Sequence, residues 1–313
     1  MMAGQFTPDG DQCHHYPLLS QARAAVQAHD LAALRLTCQA ADSWGLRDAI
    51  VQDAAEVGGE DFWRSAAADA PDDPWVLTVL GVCLTYTGWE IRGRGRASTV
   101  TKDHWQPFYE YLREAEQCLI RACAIDPNSP LAWRERLVTA RGLGVGLEET
   151  RRRYARAAQI DPLNRPAQYQ FLESLYPKWY GTWEDAFTFV HECAASAPAG
   201  AVTASIVVSA HMEKWALDRD ADKQAFFTDR TRRREIEAAA AQSVLHPAFT
   251  QQFGWVEAAT IFALTLSWAG SLKQARTCFE MLGPYFTVLR RFFDEADGLS
   301  EFLHCRKLAM GRK

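Results

Sequence analysis

Charged and aromatic side chains are concentrated in residues 88–105, which read GWEIRGRGRASTVTKDHW. Arginine and lysine pair with carboxylates and phosphates, and tryptophan stacks on cations and planar groups. This composition in one segment is therefore typical of a site for an anionic ligand. The candidate ligand-binding residues in the segment are Trp89, Arg92, Arg94, Arg96, Lys102 and Trp105.

Glu90 is a carboxylate beside these arginines, and it permits two interpretations. In the first, Glu90 pairs with one arginine and fixes an irregular loop against the helices. In the second, the loop covers a groove and presents arginine to a ligand, because three arginines exceed the need of one glutamate. If the protein is an enzyme, Glu90 or His104 would be the acid–base residue and Arg92 would hold the substrate.

A second aromatic segment, LYPKWYGTWEDAF, occupies residues 175–187, where a turn between two helices is expected. Two tryptophans, two tyrosines and a lysine are more than such a turn requires. The segment either packs onto a neighbouring helix or forms one edge of a binding surface. In the second case Lys178, Trp179 and Trp183 are its ligand-binding residues.

Motifs for phosphate binding, zinc proteolysis and serine hydrolysis are absent from the sequence. The run CHHY (13–16) places three ligand-type residues side by side, and these cannot surround one ion without further ligands. His191 and His211 lie in predicted helices, where neither forms a site alone, although a pair across two stacked helices could. We therefore predict neither a metal nor a cofactor.

The elements that position these residues are predicted to be helices, because apolar residues recur at helical spacing along most of the chain. The segment AQIDPLNRPAQ (158–168) also repeats the pattern of CAIDPNSPLAW (123–133). Pro162 follows Pro127 by 35 residues, and Pro198 follows after 36 more. A period of about 34 residues is typical of tetratricopeptide repeats, which are stacked helical hairpins.

The residues before each proline agree with this repeat, which places small, large and small side chains at fixed distances. The matching sets are Gly59, Trp63, Ala66, Pro71; Ala115, Leu119, Ala122, Pro127; Thr150, Tyr154, Ala157, Pro162; and Ala186, Val190, Cys193, Pro198. The predicted fold is all-α, a right-handed α-solenoid of tetratricopeptide-like hairpins. It carries an insertion at about 88–108 and longer helices at about 200–243.

We predict one helical-repeat domain over residues 1–313. Its expected parts are a disordered tail (1–15), N-terminal capping helices (16–58), repeats that contain the insertion (59–200), and longer helices with a last repeat (201–313).

Composition limits the classes of function and the cellular location. A net charge of −5 argues against a dedicated nucleic-acid-binding protein. The chain begins without the basic and apolar regions of a signal peptide, and its longest apolar stretches are too short to span a membrane. The eight cysteines form no C-x-x-C pair, as is usual in a reducing compartment. We predict a cytoplasmic protein that binds neither nucleic acid nor membrane and is a monomer or homodimer.

WEIRG (89–93), VTKDHWQPF (100–108) and YPKWYGTWEDAF (176–187) together resemble a bacterial family with tetratricopeptide-like repeats. That family is described as a domain of unknown function. The resemblance covers roughly residues 70–200 and implies that both aromatic segments are family features. It implies no reaction.

Three functions remain open from the sequence. The first is a helical-repeat protein that holds a peptide or a small anionic ligand in its concave groove through arginine, lysine and tryptophan. The second is an enzyme acting on a small metabolite or peptide. The third is a scaffold or homodimerisation module, in which the aromatic surface binds another protein.

Overall fold

The computed structural model describes residues 6–93, 95, 99–218 and 222–311. Regular structure in these ranges is helical, apart from one isolated parallel bridge between Asp9 and Tyr285. The predicted all-α class is therefore confirmed. No helix in the described ranges combines the length and the apolar character that crossing a membrane requires.

Within those ranges the chain forms sixteen α-helices. Up to residue 182 they are α1 (Gln12–His15), α2 (Pro17–Gln27), α3 (Leu31–Ala40), α4 (Trp44–Asp69), α5 (Pro74–Arg92), α6 (Lys102–Ile125), α7 (Pro130–Leu143), α8 (Leu147–Ile160) and α9 (Arg165–Leu175). The remaining helices are α10 (Trp183–Ser196), α11 (Ser205–Leu217), α12 (Lys223–Thr228), α13 (Arg230–Gln242), α14 (Trp255–Trp268), α15 (Leu272–Leu282) and α16 (Glu295–Gly311).

The helices divide between two compact units. The first unit is Tyr16–Thr182, and the second is Trp183–Lys313 together with Met1–His15. This division describes packing within each unit, so the single repeat domain expected over residues 1–313 stays a prediction.

Helices of the first unit pack on their neighbours in sequence. Contacts join α4 to α5, α5 to α6, α6 to α7, α7 to α8 and α8 to α9. Further contacts join α5 to α7 and α7 to α9. Each helix therefore buries an apolar face on the helices that precede and follow it.

The ends of α5 follow from local chemistry. Asp73 caps its first turn, because the carboxylate accepts hydrogen bonds from the backbone N–H groups of Trp75 and Val76. Pro74 occupies the first position, where no backbone donor is needed. Gly93 ends the helix with a φ of 73°, a backbone conformation that favours glycine. These signals position Trp89 and Arg92 in the last turn.

Most residues at the repeat positions are buried. In α6 the side chains of Ala115, Leu119 and Ala122 are 0–1 % exposed. Gly59 differs from the expected helical position, because its backbone torsions are non-helical and it divides α4. A residue without a side chain permits that break.

In the second unit α14 is buried along its whole length and contacts α11, α12, α13, α15 and α16. The longer helices expected at about 200–243 are not formed: α11 and α13 have 13 residues each and α12 has six. Asp229 separates α12 from α13, because it adopts a non-helical conformation and its carboxylate caps α13 at the backbone N–H of Arg232.

The structure describes residues 6–15 of the segment that was expected to be a disordered tail. Residues 6–15 belong to the second unit, where the Asp9 N–H donates to the Pro284 carbonyl at 2.7 Å. The Phe286 N–H in turn donates to the Asp9 carbonyl at 3.0 Å. Backbone pairing thus joins Asp9 to the segment between α15 and α16.

Candidate functional site

Two of the predicted tryptophans meet where α5 ends and α6 begins. Trp89 lies in the last turn of α5 and Trp105 in the first turn of α6. Both rings pack edge-on against Phe108, with centroid separations of 5.0 Å for Trp89 and 5.8 Å for Trp105. Phe108 is 1 % exposed and supports the two indoles from the core side.

Arg92 lies against both indoles. Its guanidinium carbon is 5.3 Å from the ring centroid of Trp89 and 5.3 Å from that of Trp105. One guanidinium nitrogen, Nη1, donates to the backbone carbonyls of Gly93 and Gly95 at 2.9 and 3.0 Å. Burial lowers the pKa of Arg92, although the side chain is only partly buried.

Glu90 does not pair with Arg92, among the contacts that the described residues make. Glu90 is exposed, and the Arg92 guanidinium uses loop carbonyls in place of a carboxylate. The first interpretation, in which Glu90 pairs with one arginine, therefore does not hold for Arg92. Arg94 and Arg96 lie outside the described residues.

A second arginine, Arg141 near the end of α7, also contacts Trp89 and adds a third tryptophan to the cluster. Its guanidinium carbon is 5.7 Å from the centroid of Trp89 and 5.7 Å from that of Trp179. Nη1 donates to the side-chain oxygen of Gln170 at 3.0 Å. Burial, assisted by the cation of Arg134, lowers the pKa of Arg141 to about 10, so the group remains charged at neutral pH.

The five side chains form a cluster that we call the arginine–tryptophan ladder: Trp105, Arg92, Trp89, Arg141 and Trp179. The ladder unites four of the predicted ligand-binding residues. Each cation–ring contact contributes about 0.5–2 kcal/mol, depending on exposure. The indole N–H of Trp89 is buried and has no hydrogen-bond partner among the described residues.

Three other interior arginines of the first unit are neutralised by carboxylates. Arg136 and Arg153 both donate to Glu116, at 2.9 and 3.0 Å. Arg134 lies 3.4 Å from Asp48 and also pairs with Glu135. Burial raises the pKa of Asp48 to about 6, against the opposing effect of the Arg134 cation.

Arg92 and Arg141 differ from these residues, because neither has a carboxylate within ion-pair distance in the described part of the chain. No described carboxylate balances their charges. Such cations attract an anion from solution. The partly buried Arg47 also lacks a described carboxylate, but its guanidinium donates to the carbonyls of Gln39 and Ala41 and lies 4.7 Å from one indole centroid only, that of Trp44.

The predicted residues Lys178, Lys102 and His104 are not part of the ladder. Lys178 pairs with Glu173 at 2.7 Å, and the Trp179 indole N–H donates to the same carboxylate at 3.1 Å. Lys102 and His104 are exposed on the first turn of α6. Their roles, and the acid–base role proposed for Glu90 or His104, stay predictions.

Trp183 starts α10 and belongs to the second unit. There the ammonium nitrogen of Lys214 lies 5.7 Å from the Trp183 ring centroid.

No group of three or more His, Cys, Asp or Glu side chains in the described ranges has the arrangement needed to hold a metal ion.

Arg141 and Tyr180 are site residues that the sequence did not single out. The Tyr180 hydroxyl donates to the Arg141 carbonyl at 3.1 Å, which joins the 175–187 turn to the end of α7. One signal was present: Arg141 follows Arg134 by seven residues, two helical turns, so both lie on one helix face among apolar residues.

Replacing Gly142 with alanine is expected to destabilise the first unit by about 1–3 kcal/mol. A Cβ atom there would lie 2.1 Å from Leu112 Cδ2, 3.1 Å from Phe108 Cζ and 3.3 Å from Trp89 Cζ2. Helix propensity alone predicts the opposite sign, a gain of up to about 1 kcal/mol. The midpoint of urea unfolding distinguishes the expected loss of stability from the expected gain. A stabilised Gly142→Ala variant would contradict this close packing.

A scan with protein-family models and a search of curated proteins found no match to this chain. The resemblance to a bacterial tetratricopeptide-like family therefore stays a prediction.

Proposed function

We propose that the protein is a tetratricopeptide-like helical-repeat protein whose first unit binds a carboxylate-bearing peptide or small anionic ligand at the arginine–tryptophan ladder. The right-handed solenoid arrangement is part of this proposal. It is supported by the burial of the repeat positions in α6 and by the sequential packing of α4 to α9. The ligand would contact Arg141 and Arg92, with its apolar parts against the indole rings.

One observation carries the proposal: Arg141 is a charged guanidinium lined by two indoles without a carboxylate partner among the described residues. A structural arginine in a helix interior is normally neutralised, as Arg136 and Arg153 are by Glu116. Maintaining an unneutralised cation there is unfavourable unless an anion binds to it. Arginine suits this role because its planar fork can bind both oxygens of one carboxylate.

The tryptophans contribute in two ways. Their faces exclude water from the guanidinium groups, which strengthens an ion pair formed with a ligand. They also offer flat apolar surfaces for a peptide side chain or an aromatic ring. The buried Trp89 indole N–H supplies one unused donor.

Arg141→Met is expected to weaken binding of an acidic peptide at least tenfold. The probe is a tetrapeptide with two glutamates, compared by isothermal titration calorimetry with the same peptide carrying glutamines. Truncating one partner of a partly buried charge pair commonly has an effect of this size or larger. Arg121→Met is the matched control, since Arg121 is exposed and already pairs with Asp72 at 3.0 Å.

The same variant separates binding from a purely structural role. Arg141→Met removes two cation–ring contacts and the hydrogen bond to Gln170, but it also removes the cost of keeping a cation in the interior without a described carboxylate. These effects oppose each other, so the free energy of unfolding is expected to change little. Equal affinity for the glutamate and glutamine peptides would refute the proposal. Unchanged binding with lower stability in Arg141→Met would assign Arg141 to the scaffold.

A further inference from the structure

A cleft of about 220 Å³ lies in the second unit, among α10, α11 and α13. It is separate from the ladder residues, all of which belong to the first unit. The lining side chains are Phe187, His191, His211, Lys214, Asp229, Thr231, Arg232 and Glu235. The cleft brings together His191 and His211 from two packed helices, a pairing that the sequence left open.

His211 is the most buried polar group of this cleft, with an exposed fraction of 4 %. Its Nε2 lies 2.7 Å from a carboxylate oxygen of Glu235. Burial lowers the pKa of His211, and the hydrogen bond from His211 lowers the pKa of Glu235. Burial favours the neutral imidazole, and we assign its proton to Nε2, which then donates to the Glu235 carboxylate.

This tautomer determines what the other nitrogen can do. With the proton on Nε2, Nδ1 carries a lone pair and can only accept a hydrogen bond. Nδ1 of His211 is buried and has no partner among the described residues. A buried acceptor without a partner is unfavourable, so the cleft favours a ligand that supplies an O–H or N–H group.

Lys214 provides a charge for the same ligand. It follows His211 by three residues on α11, so the two side chains lie on one helix face. Its ammonium nitrogen lies 5.5 Å from the Phe187 ring centroid, and no carboxylate pairs with it in the described part of the chain.

The other charged groups that line the cleft are already engaged. The Asp229 carboxylate caps α13 at the Arg232 N–H, at 3.0 Å. The Arg232 guanidinium lies over the Phe226 ring and donates to the Phe226 carbonyl. Lys214 and Nδ1 of His211 therefore remain available to a ligand in the interior of the cleft, and His191 lies exposed in its lining.

We propose that this cleft binds a small carboxylate that carries a neighbouring hydroxyl or amine. The carboxylate pairs with Lys214, the O–H or N–H donates to Nδ1 of His211, and an apolar substituent packs on Phe187. A simple carboxylate satisfies only Lys214, because it has no proton to donate to the neutral imidazole. The volume suits a ligand of amino-acid size.

The test compares 3-phenyllactate with 3-phenylpropionate, which differ by one hydroxyl group. Binding is followed by NMR of the full-length protein labelled with ¹⁵N at histidine. We expect phenyllactate to bind at least tenfold more tightly and to shift the Nδ1 resonance of His211, which phenylpropionate leaves in place. The resonance is assigned with His211→Gln or, if that variant does not fold, by magnetisation transfer from Phe187, whose ring centroid is 4.7 Å away.

Lys214→Met should weaken both compounds at least tenfold, because methionine keeps much of the apolar stem and removes the charge. Lys273→Met is the control, since Lys273 is exposed on α15 in the same unit. Equal affinities for the two compounds, an unmoved Nδ1 resonance, or no binding by either at about 10 mM would each overturn the proposal. Unchanged binding in Lys214→Met would do the same.

Discussion

Replacing Glu116 with glutamine is expected to lower the stability of the first unit by about 3–5 kcal/mol, the range for breaking a buried ion pair. The Glu116 carboxylate accepts hydrogen bonds from Arg136 on α7, at 3.1 and 2.9 Å, and from Arg153 on α8, at 3.0 Å. It also accepts from the hydroxyl of Thr139. One carboxylate on α6 therefore links the two helices that follow it.

The size of the effect comes from the burial of the cations. The side chains of Arg136 and Arg153 are 12 % and 7 % exposed, so water cannot replace the lost carboxylate well. Glutamine keeps the shape of glutamate but provides neither its charge nor its second acceptor oxygen. Urea unfolding followed by circular dichroism measures the loss, and hydrogen exchange assigns it to α6, α7 and α8.

Glu114→Gln is the matched control on the same helix. Glu114 pairs with Arg64 where both side chains are well exposed, at 43 % and 38 %. Exposed pairs contribute about 0–1 kcal/mol, so this variant should be nearly neutral. Equal losses in the two variants would contradict the role assigned to Glu116.

The all-α class was the part of the fold that the sequence predicted best. An insertion was expected at about 88–108. The structure has α5 ending at Arg92 and α6 beginning at Lys102. Such boundaries are local, because Asp73, Pro74 and Gly93 act on backbone groups within one turn.

The longer helices predicted at about 200–243 fail for a local reason, because the Asp229 carboxylate caps α13 and ends the run. Aspartate competes for nearby backbone N–H groups, so a charged run can contain a helix start. Periodicity alone does not distinguish these two arrangements.

The site depends on contacts between residues far apart in the chain. Trp89, Arg92 and Trp105 share one segment and were found from composition. Arg141 meets them only because α7 packs beside α5, and Trp179 joins through the turn after α9. In the sequence Arg141 resembles its ion-paired neighbours, and only the packed structure shows that none of the described carboxylates pairs with it.

Replacing Phe108 with alanine is expected to destabilise the first unit by about 3–5 kcal/mol, the range for deleting a buried aromatic ring. Phe108 is 1 % exposed and contacts the rings of Trp89, Trp105 and Tyr109, at centroid separations of 5.0, 5.8 and 5.2 Å. Deleting it leaves a cavity where α5, α6 and α7 meet. The same denaturation and hydrogen-exchange measurements report the loss.

Phe108→Leu distinguishes the two roles of this ring. Leucine fills much of the space, so the expected loss of stability is smaller, about 1–2 kcal/mol. Leucine has no ring edge or face to orient Trp89 and Trp105. The indole rings that contact Arg92 and Arg141 are then held less firmly in position. We therefore expect Phe108→Leu to remain folded while binding the acidic tetrapeptide several-fold more weakly. Unchanged affinity in a folded Phe108→Leu variant would show that ligand binding does not depend on fixed positions of the ladder side chains. Phe108 would then be a core residue alone.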